Sequence, residues 1–368
     1  MTQVGQVQLQ SVDSQSVDLS HRCVRALVWV TLLPLLLAAC GDNGVADAEK
    51  LTHLHRRGQF GSLRDFVLYD RPQDPAGSAL LVDRFEVTQD DWAAFATTKE
   101  GIAVAARATG ASENGALPAS NMNLQQARGF AQWRLGRLPT DAEWQRATVA
   151  GGSSLFPWGG TEFATHANSG NLGLGEPTPV GTFESGRRAG RNSPYDLIGN
   201  VREWTETVPA SWCGETGLAS SFTANRRRVL ITPVLSVWSM LRLIPPAMAA
   251  TVGPGEVPRR VVGVDFETPL SDIVDPKDDS QMAGERRLRT GMRVYTTVDE
   301  LLGRLLGMTR MATAEERLQL VRFVARKGHA KVLTAAFSAS RLGDQRFAKG
   351  SIAEVLSTAL RTALAESK

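Results

Sequence analysis

The spacing of apolar residues along the chain predicts strands first and helices afterwards. Short apolar runs at 66–69 and 79–87 predict two strands, and the second alternates well enough to bury one face. Helical spacing follows in the stretches 88–96, 123–135 and 140–151. Thr88 with Asp91 has the spacing of a capping box, which predicts that the first helix begins after Thr88.

Regular patterns then give way to irregular ones. The stretches 156–159 (FPWG), 168–175 and 179–183 (PVGTF) are predicted to be ordered loops. A compact domain keeps so much irregular backbone only if bound ions or buried aromatic rings compensate for it. The chain contains 34 glycines and 8 tryptophans, so it can provide both turns and aromatic plugs.

The last part of the chain is helical in pattern. Three pairs have capping-box spacing, each opening a stretch with apolar residues at helical intervals: Thr297 with Glu300, Thr313 with Glu316, and Ser351 with Glu354. Residues 297–368 are therefore predicted to form a small helical appendage.

The beginning of the chain has the pattern of an export signal. Basic residues at 21–25 precede an apolar core at 26–37, and small residues lead to Cys40. The ending LAAC resembles a bacterial lipobox, which predicts a signal peptide over 1–39, a lipid on Cys40, and a lipidated tether over 40–65. We therefore expect a bacterial envelope protein, anchored by lipid outside the cytoplasm. The alternative is an ordinary buried helix.

The segment 195–204 (YDLIGNVREW) contains the strongest candidate for cation chemistry. Asp196 and Glu203 flank a turn at Gly199 and Asn200, so that carboxylate and backbone oxygens can face one point. Such hard oxygen ligands suit calcium. The alternative is a carboxylate bonded to the turn and a glutamate paired with an arginine. Trp204 closes this motif, and Trp144 closes the motif at 136–144 (GRLPTDAEW); both are expected to be buried.

Composition excludes some classes of protein. The net charge of +3 is too small to indicate nucleic-acid binding. Cysteines at 23, 40 and 213 cannot build a disulfide framework once the leader is removed. His53 and His55 could begin a metal site, although a solvated pair explains them as well.

Taken together, several motifs resemble the formylglycine-generating enzyme family, also called sulfatase-modifying factor domains, which share a C-type-lectin-like core. The matching segments in chain order are FEVTQDDWAAF (85–95), GRLPTDAEW (136–144), FPWG (156–159), PVGTF (179–183), YDLIGNVREW (195–204) and TGMRVY (290–295). The resemblance implies an α+β, loop-rich domain over 66–296, with an insertion at about 209–258 and the helical appendage after it. In the insertion, basic residues are followed by an apolar run. This order is compatible with a segment that lies on a membrane surface, binds a partner or packs on its own domain.

The resemblance also implies structural calcium. One site would use the side chains of Asp196 and Glu203 with the carbonyl groups of Gly199 and Val201. A second site is only half matched. Asn168 and the Ser169 carbonyl fit its first half, but Leu172-Gly173-Leu174 stand where the family usually has an acidic oxygen.

The chain departs from the family where the chemistry takes place. The resemblance implies a pair of cysteines near a segment like RGGSW, which bind copper and activate oxygen to oxidise a sulfatase cysteine. Here that segment is VGVDF (262–266), and no cysteine follows Cys213. Because thiolates hold copper(I), we do not expect copper or formylglycine formation. A related branch holds iron with histidines from a separate helical domain, which this chain lacks, so we do not expect iron either.

Three hypotheses remain. The first is a non-catalytic lipoprotein that binds an unknown glycan, peptide or protein ligand through loops on a rigid frame. The second is a metal-dependent oxidoreductase of the formylglycine-generating or non-haem iron type with a diverged active site, in which Cys213 is reactive and not structural. The third is a scaffold for the helical appendage. Whether the domain is an enzyme stays open from the sequence.

Overall fold

The computed structural model describes residues 58–69, 79–107, 114–149, 154–188, 193–209, 257–273, 280–326, 328–339 and 346–366. The predictions at Cys40, at His53 and His55, and at Cys213 lie outside these residues, as does nearly all of the insertion.

Two small sheets form the frame of the domain. In the first, β1 (Phe66–Tyr69), β2 (Leu80–Asp83) and β7 (Tyr295–Thr297) are antiparallel in the order β1-β2-β7. Phe66 lies opposite Asp83, and Leu80 lies opposite Thr297. The strand that closes the domain thus returns to the strands that open it.

The second sheet carries the candidate motif. Its strands are β3 (Arg202–Trp204), β4 (Arg259–Val262), β5 (Ser280–Gln281) and β6 (Thr290–Gly291), in the order β5-β4-β3-β6. β3 is antiparallel to β4 and parallel to β6. The carboxylate of Glu203 therefore projects from an interior strand of this sheet.

Four helices pack in the first half of the domain: α1 (Gln89–Ala96), α2 (Lys99–Ala103), α3 (Leu124–Trp133) and α4 (Asp141–Val149). The predicted capping box of Thr88 and Asp91 is present. Asn123 and Gln126 form another at the start of α3. At the start of α4, Thr140 and Glu143 exchange the same reciprocal hydrogen bonds, of 2.8 and 3.2 Å. α2 was not predicted.

The helical appendage contains α5 (Val298–Leu306), α6 (Ala314–Ala325), α7 (His329–Ala339) and α8 (Ile352–Glu366). Capping boxes open α5 and α6 as predicted. The appendage shares one hydrophobic core with the domain, because Leu305 and Phe323 belong to the same buried cluster as Phe95 and Phe130. In the part of the chain that the structure describes, no helix combines the length and the apolar character needed to cross a membrane.

Aromatic side chains fill the core beneath the irregular loops. Trp92, Phe95, Phe130 and Trp133 lie with neighbouring ring centroids 5.4–5.8 Å apart. Trp204 is fully buried, and its indole N–H donates to the Met122 carbonyl at 3.1 Å. Trp144 is also buried. Between α4 and β3 the described backbone has only two short 3₁₀ turns, Ala164–His166 and Glu184–Gly186.

Two strand predictions need correction. The strand expected over 79–87 ends at Asp83, whose carbonyl accepts a hydrogen bond from Arg293 Nη1 at 3.2 Å. The closing strand expected over 290–295 is divided, since Thr290–Gly291 pairs in the second sheet and Tyr295–Thr297 in the first. Both irregularities meet at Arg293, which lies in the candidate site.

Candidate functional site

The candidate site is built on a tight turn between Tyr195 and Val201. Asp196, Gly199 and Asn200 have φ values of 49°, 93° and 64°, in the left-handed region. A Cβ on Gly199 would lie 2.7 Å from the Asn168 carbonyl oxygen, so both the backbone conformation and the close contact require glycine there. The turn thus packs directly on the segment that was predicted to hold the second cation.

Asn200 connects the loops around this turn. Its side chain donates to Glu86 Oε2 at 2.7 Å and to the Thr178 carbonyl at 3.1 Å, and it accepts from the Thr178 N–H at 2.9 Å. Its backbone N–H donates to the Asn168 carbonyl at 2.7 Å. These bonds explain how a segment with little regular structure keeps one conformation.

Glu86 is one of two site residues that the sequence analysis missed; the other is Arg293. Glu86 is fully buried, and Oε1 accepts the Val201 N–H at 3.2 Å while Oε2 is bound by Asn200. Alternation along 79–87 could not mark it, because Glu86 stands between inward-facing Phe85 and Val87, where the pattern predicts a surface residue. It holds the turn in place.

Arg293 is the central cation of the site. Its side chain is fully buried, and Nε donates to Glu203 Oε1 at 2.8 Å while Nη2 donates to the Asp196 carbonyl at 2.9 Å. Burial opposes the charge, but the nearby charges of Glu203, Tyr295, Glu86 and Asp196 together outweigh it and raise the pKa of Arg293 above its ordinary value. The structure therefore places Glu203 in an internal ion pair.

Negative charge exceeds positive charge around Arg293. Burial, followed by the charge of Asp196, raises the pKa of Glu86 well above its ordinary value, although Arg293 and the hydrogen bond from Asn200 oppose the shift. Burial also raises the pKa of Glu203. A further cation near Asp196 would lower the cost of keeping these carboxylates ionised.

This charge imbalance predicts the pH dependence of a Glu86→Gln variant. A carboxyl group whose pKa is raised in the folded state keeps its proton there at pH values where the unfolded chain has lost it. Its contribution to stability is therefore lost as pH rises from about 4.3 through the raised pKa. The amide of the variant cannot lose a proton, so the loss of unfolding free energy caused by Glu86→Gln should be larger at pH 5 than at pH 8. Denaturant unfolding at both pH values measures it, and a loss that grows with pH would contradict the assignment.

Several of the predicted calcium ligands already accept hydrogen bonds from the protein. Asp196 Oδ2 accepts the Gly181 N–H at 2.5 Å, and the Ser169 carbonyl accepts the Leu172 N–H at 3.0 Å. Among the residues that the structure describes, no group of three or more Asp, Glu, His and Cys side chains is arranged to hold a metal. Any site here would depend on backbone oxygens.

Three buried oxygen atoms in this region receive no hydrogen bond from the described part of the chain: Asn168 Oδ1, Ser169 Oγ and Glu203 Oε2. Buried acceptors without donors are costly, and a hard cation is one way to satisfy them. The donor set thus fits calcium in chemistry, at Asp196 and Asn168 more readily than at Glu203 because Arg293 already neutralises Glu203.

The segment 262–268 contains a carboxylate whose hydrogen bonds and ion pairs are structural. Asp265 Oδ1 accepts the N–H groups of Glu267 and Thr268 at 3.0 and 3.1 Å, and the Thr268 hydroxyl at 2.9 Å. Its carboxylate also lies 3.5 Å from Arg202 Nε and 3.6 Å from Arg289 Nη1. Asp265 therefore stabilises a turn and balances charge.

With this fold and site, the chain belongs to the family of sulfatase-modifying factor enzyme 1-like domains (FGE-sulfatase), which matches residues 69–297, more than half of the chain.

Curated relatives cover shorter stretches. A hercynine oxygenase from Mycolicibacterium smegmatis is 34% identical over 105 residues, which are 27% of this chain and 24% of the relative. A formylglycine-generating enzyme from Mycobacterium tuberculosis is 33% identical over 103 residues, 24% of this chain and 33% of the relative. A Bos taurus protein named inactive C-alpha-formylglycine-generating enzyme 2 is 32% identical over 100 residues, 24% of this chain and 32% of the relative. The matches thus span between about a quarter and a third of these relatives.

Solved structures give distant similarities. PvdO from Pseudomonas aeruginosa aligns with a TM-score of 0.39 and 16% identity, over 63% of this chain and 90% of that protein. CarF aligns with a TM-score of 0.40 and 16% identity, over 63% of this chain and 96% of that protein.

Proposed function

We propose that this protein is an envelope-anchored lipoprotein whose sulfatase-modifying factor domain binds a ligand or a partner and does not carry out the family's oxidation. One observation carries the proposal: no cysteine follows Cys213, so the thiol pair that the family resemblance implies shortly after 262–266 is missing, and Asp265 in that segment is bonded to its own turn and to two arginines. A carboxylate cannot replace a pair of thiolates as a copper(I) site.

The frame supports recognition without that chemistry. Asn200, Glu86 and Arg293 fix the turn through buried hydrogen bonds, and none of these contacts depends on a thiol. Loops held by such a frame can present a binding surface at low entropic cost. The similarity to a protein named inactive agrees with a domain that keeps its fold after its chemistry is lost.

Anchoring by lipid is the cellular part of the proposal, and it depends on the pattern that ends at Cys40. Replacing Cys40 with serine removes the thiol that would carry the lipid. In a bacterial host, the full-length protein should sediment with membranes and the Cys40→Ser variant should move to the soluble fraction after processing. Equal amounts of both proteins in the membrane fraction would contradict the anchor.

Calcium is proposed as a structural ligand of Asp196, the Gly199 and Val201 carbonyls, and Asn168 with the Ser169 carbonyl. When bound, it would supply positive charge beside buried carboxylates. A ligand that binds only the folded state raises the free energy of unfolding by about 2.7 kcal/mol when its concentration is a hundred times its Kd.

We therefore expect calcium to raise the melting temperature of the purified protein and a chelator to lower it. The Asp196→Asn variant should lose most of this response. Glu267→Gln, which removes the charge of an exposed carboxylate, should keep it. A melting temperature that does not change with calcium or chelator would contradict the calcium proposal.

A second candidate function is a metal-dependent oxidoreductase with a rearranged site. It is favoured by the similarity to proteins named hercynine oxygenase and formylglycine-generating enzyme, and Cys213 would supply its thiol. Metal analysis of the purified protein separates the candidates. The binding function predicts no stoichiometric copper or iron. Stoichiometric copper or iron that is lost in a Cys213→Ser variant would contradict it.

A further inference from the structure

A line of aromatic rings runs from the core to the surface through the loops between α4 and β3. Phe156 is buried and stacks on Trp158, with centroids 5.0 Å apart and an interplanar angle of 5°. His166 lies 5.4 Å from Trp158, and Phe163 stacks on His166 at 4.8 Å. We call Phe156, Trp158, His166 and Phe163 the ring ladder.

The outer end of the ring ladder is open to solvent. Phe163 is 46% exposed, although its ring is held against His166. The Trp158 indole N–H donates to the Thr161 carbonyl at 2.9 Å, which fixes the ring across a tight turn. A rigid exposed ring loses little conformational entropy when a flat ligand covers it.

The backbone beside the rings leaves unused space. Gly160 lies in the turn that the Trp158 indole closes, and its φ is outside the left-handed region. A Cβ there would meet no heavy atom within 4 Å. Neither strain nor packing therefore requires glycine at 160, and a ligand can approach the backbone closely there.

Polar side chains border the ring ladder. Glu162 is exposed next to Phe163, and its Oε1 accepts from Asn171 Nδ2 at 2.8 Å. Asn171 Oδ1 accepts the Leu270 N–H at 2.7 Å, so the amide orientation is fixed. The pair offers carboxylate lone pairs and a second amide hydrogen at the edge of an aromatic surface. This mixture suits a ligand that has both C–H faces and hydroxyl groups.

We propose that the ring ladder with Glu162 and Asn171 is a binding platform for a β-linked oligosaccharide. The C–H face of a pyranose ring carries partial positive charge and packs on the negative face of Phe163. Its hydroxyl groups donate to Glu162, which is already oriented by Asn171. An apolar protein partner is disfavoured because Thr161, Glu162, Thr165 and Asn171 are exposed around the ring. The inference rests on the proposed binding function and names its ligand class.

Calorimetric titration of the purified protein with chitotetraose and with cellotetraose tests the platform. We expect both sugars to bind in the micromolar to millimolar range. Phe163→Leu keeps an apolar side chain without a ring and should lower the affinity about tenfold, whereas Phe163→Tyr should keep it within about threefold. Gly160→Val, which fills the open space, should also lower the affinity.

The controls separate loss of binding from loss of fold. Leu288→Ala removes an apolar side chain that is 75% exposed on another loop, and it should change neither affinity nor melting temperature. The Phe163→Leu variant should have the same melting temperature as the unsubstituted protein. Absence of sugar binding at millimolar concentration, or equal affinity of Phe163→Leu, would overturn the platform, as would binding of an apolar peptide in place of both sugars. These results leave the proposed function standing, because its own test is the metal content.

Discussion

Replacing Arg293 with methionine should lower the free energy of unfolding by about 3–5 kcal/mol. The substitution leaves Glu203, which is 2% exposed, as a buried carboxylate without its ion-pair partner. It also removes the donors to the carbonyl groups of Asp83 and Asp196. Urea unfolding followed by tryptophan fluorescence measures the change.

A surface ion pair provides the matched control for this variant. Arg289 and Glu267 also form a salt bridge, but their side chains are 44% and 53% exposed. Arg289→Met should therefore cost less than about 1 kcal/mol. The double variant Arg293→Met with Glu203→Gln should recover part of the loss, since it no longer buries an unpaired charge. Equal costs for Arg293→Met and Arg289→Met would contradict the central role of Arg293.

Truncating Trp204 to alanine should cost about 3–5 kcal/mol. Its ring is fully buried in the core, on the strand that carries Glu203, so truncation leaves a large cavity directly behind the site. Trp204→Phe keeps most of the packing and loses the N–H donated to Met122. This milder variant should cost about 1–3 kcal/mol.

The same denaturation experiment applied to both Trp204 variants separates packing from hydrogen bonding. If Trp204→Phe destabilises as much as Trp204→Ala, the hydrogen bond, and not the volume of the ring, holds this part of the core together.

Local signals predicted the helices well because a capping box involves residues only three positions apart. Thr88 with Asp91 and Thr313 with Glu316 form the predicted bonds. α7 was missed, since no residue with a capping side chain stands at its start, where Gly328 precedes His329. The burial of Trp144 and Trp204 was also predicted, because a large aromatic ring at the end of a loop-rich motif is usually buried in the core.

Long-range contacts could not be predicted from local patterns. The pattern over 79–87 predicts one regular strand, but the strand ends at Asp83, where the carbonyl accepts from Arg293, 210 residues away in sequence. The bonding of the candidate site could not be predicted either. Glu203 was predicted to bind a cation together with Asp196, Gly199 and Val201, yet it pairs with Arg293, a partner 90 positions away. Glu86 was missed because it stands in an ordinary strand pattern.

The stabilising contacts and the absent thiols lead to one account of the molecule. Buried rings and the bonds of Arg293, Glu86 and Asn200 hold the irregular loops in place, and we propose that the surface of these loops is used for recognition. We propose that calcium bound near Asp196 would balance the negative charge of the buried carboxylates there.

Incubation of the purified protein with a cysteine-containing sulfatase peptide, copper(I) and oxygen tests this account most directly, with mass spectrometry of the peptide as the readout. We predict that the peptide thiol survives unchanged even at saturating copper, because no cysteine follows Cys213 to form the copper-binding thiol pair that the family resemblance implies. Conversion of the peptide cysteine to an aldehyde would contradict it.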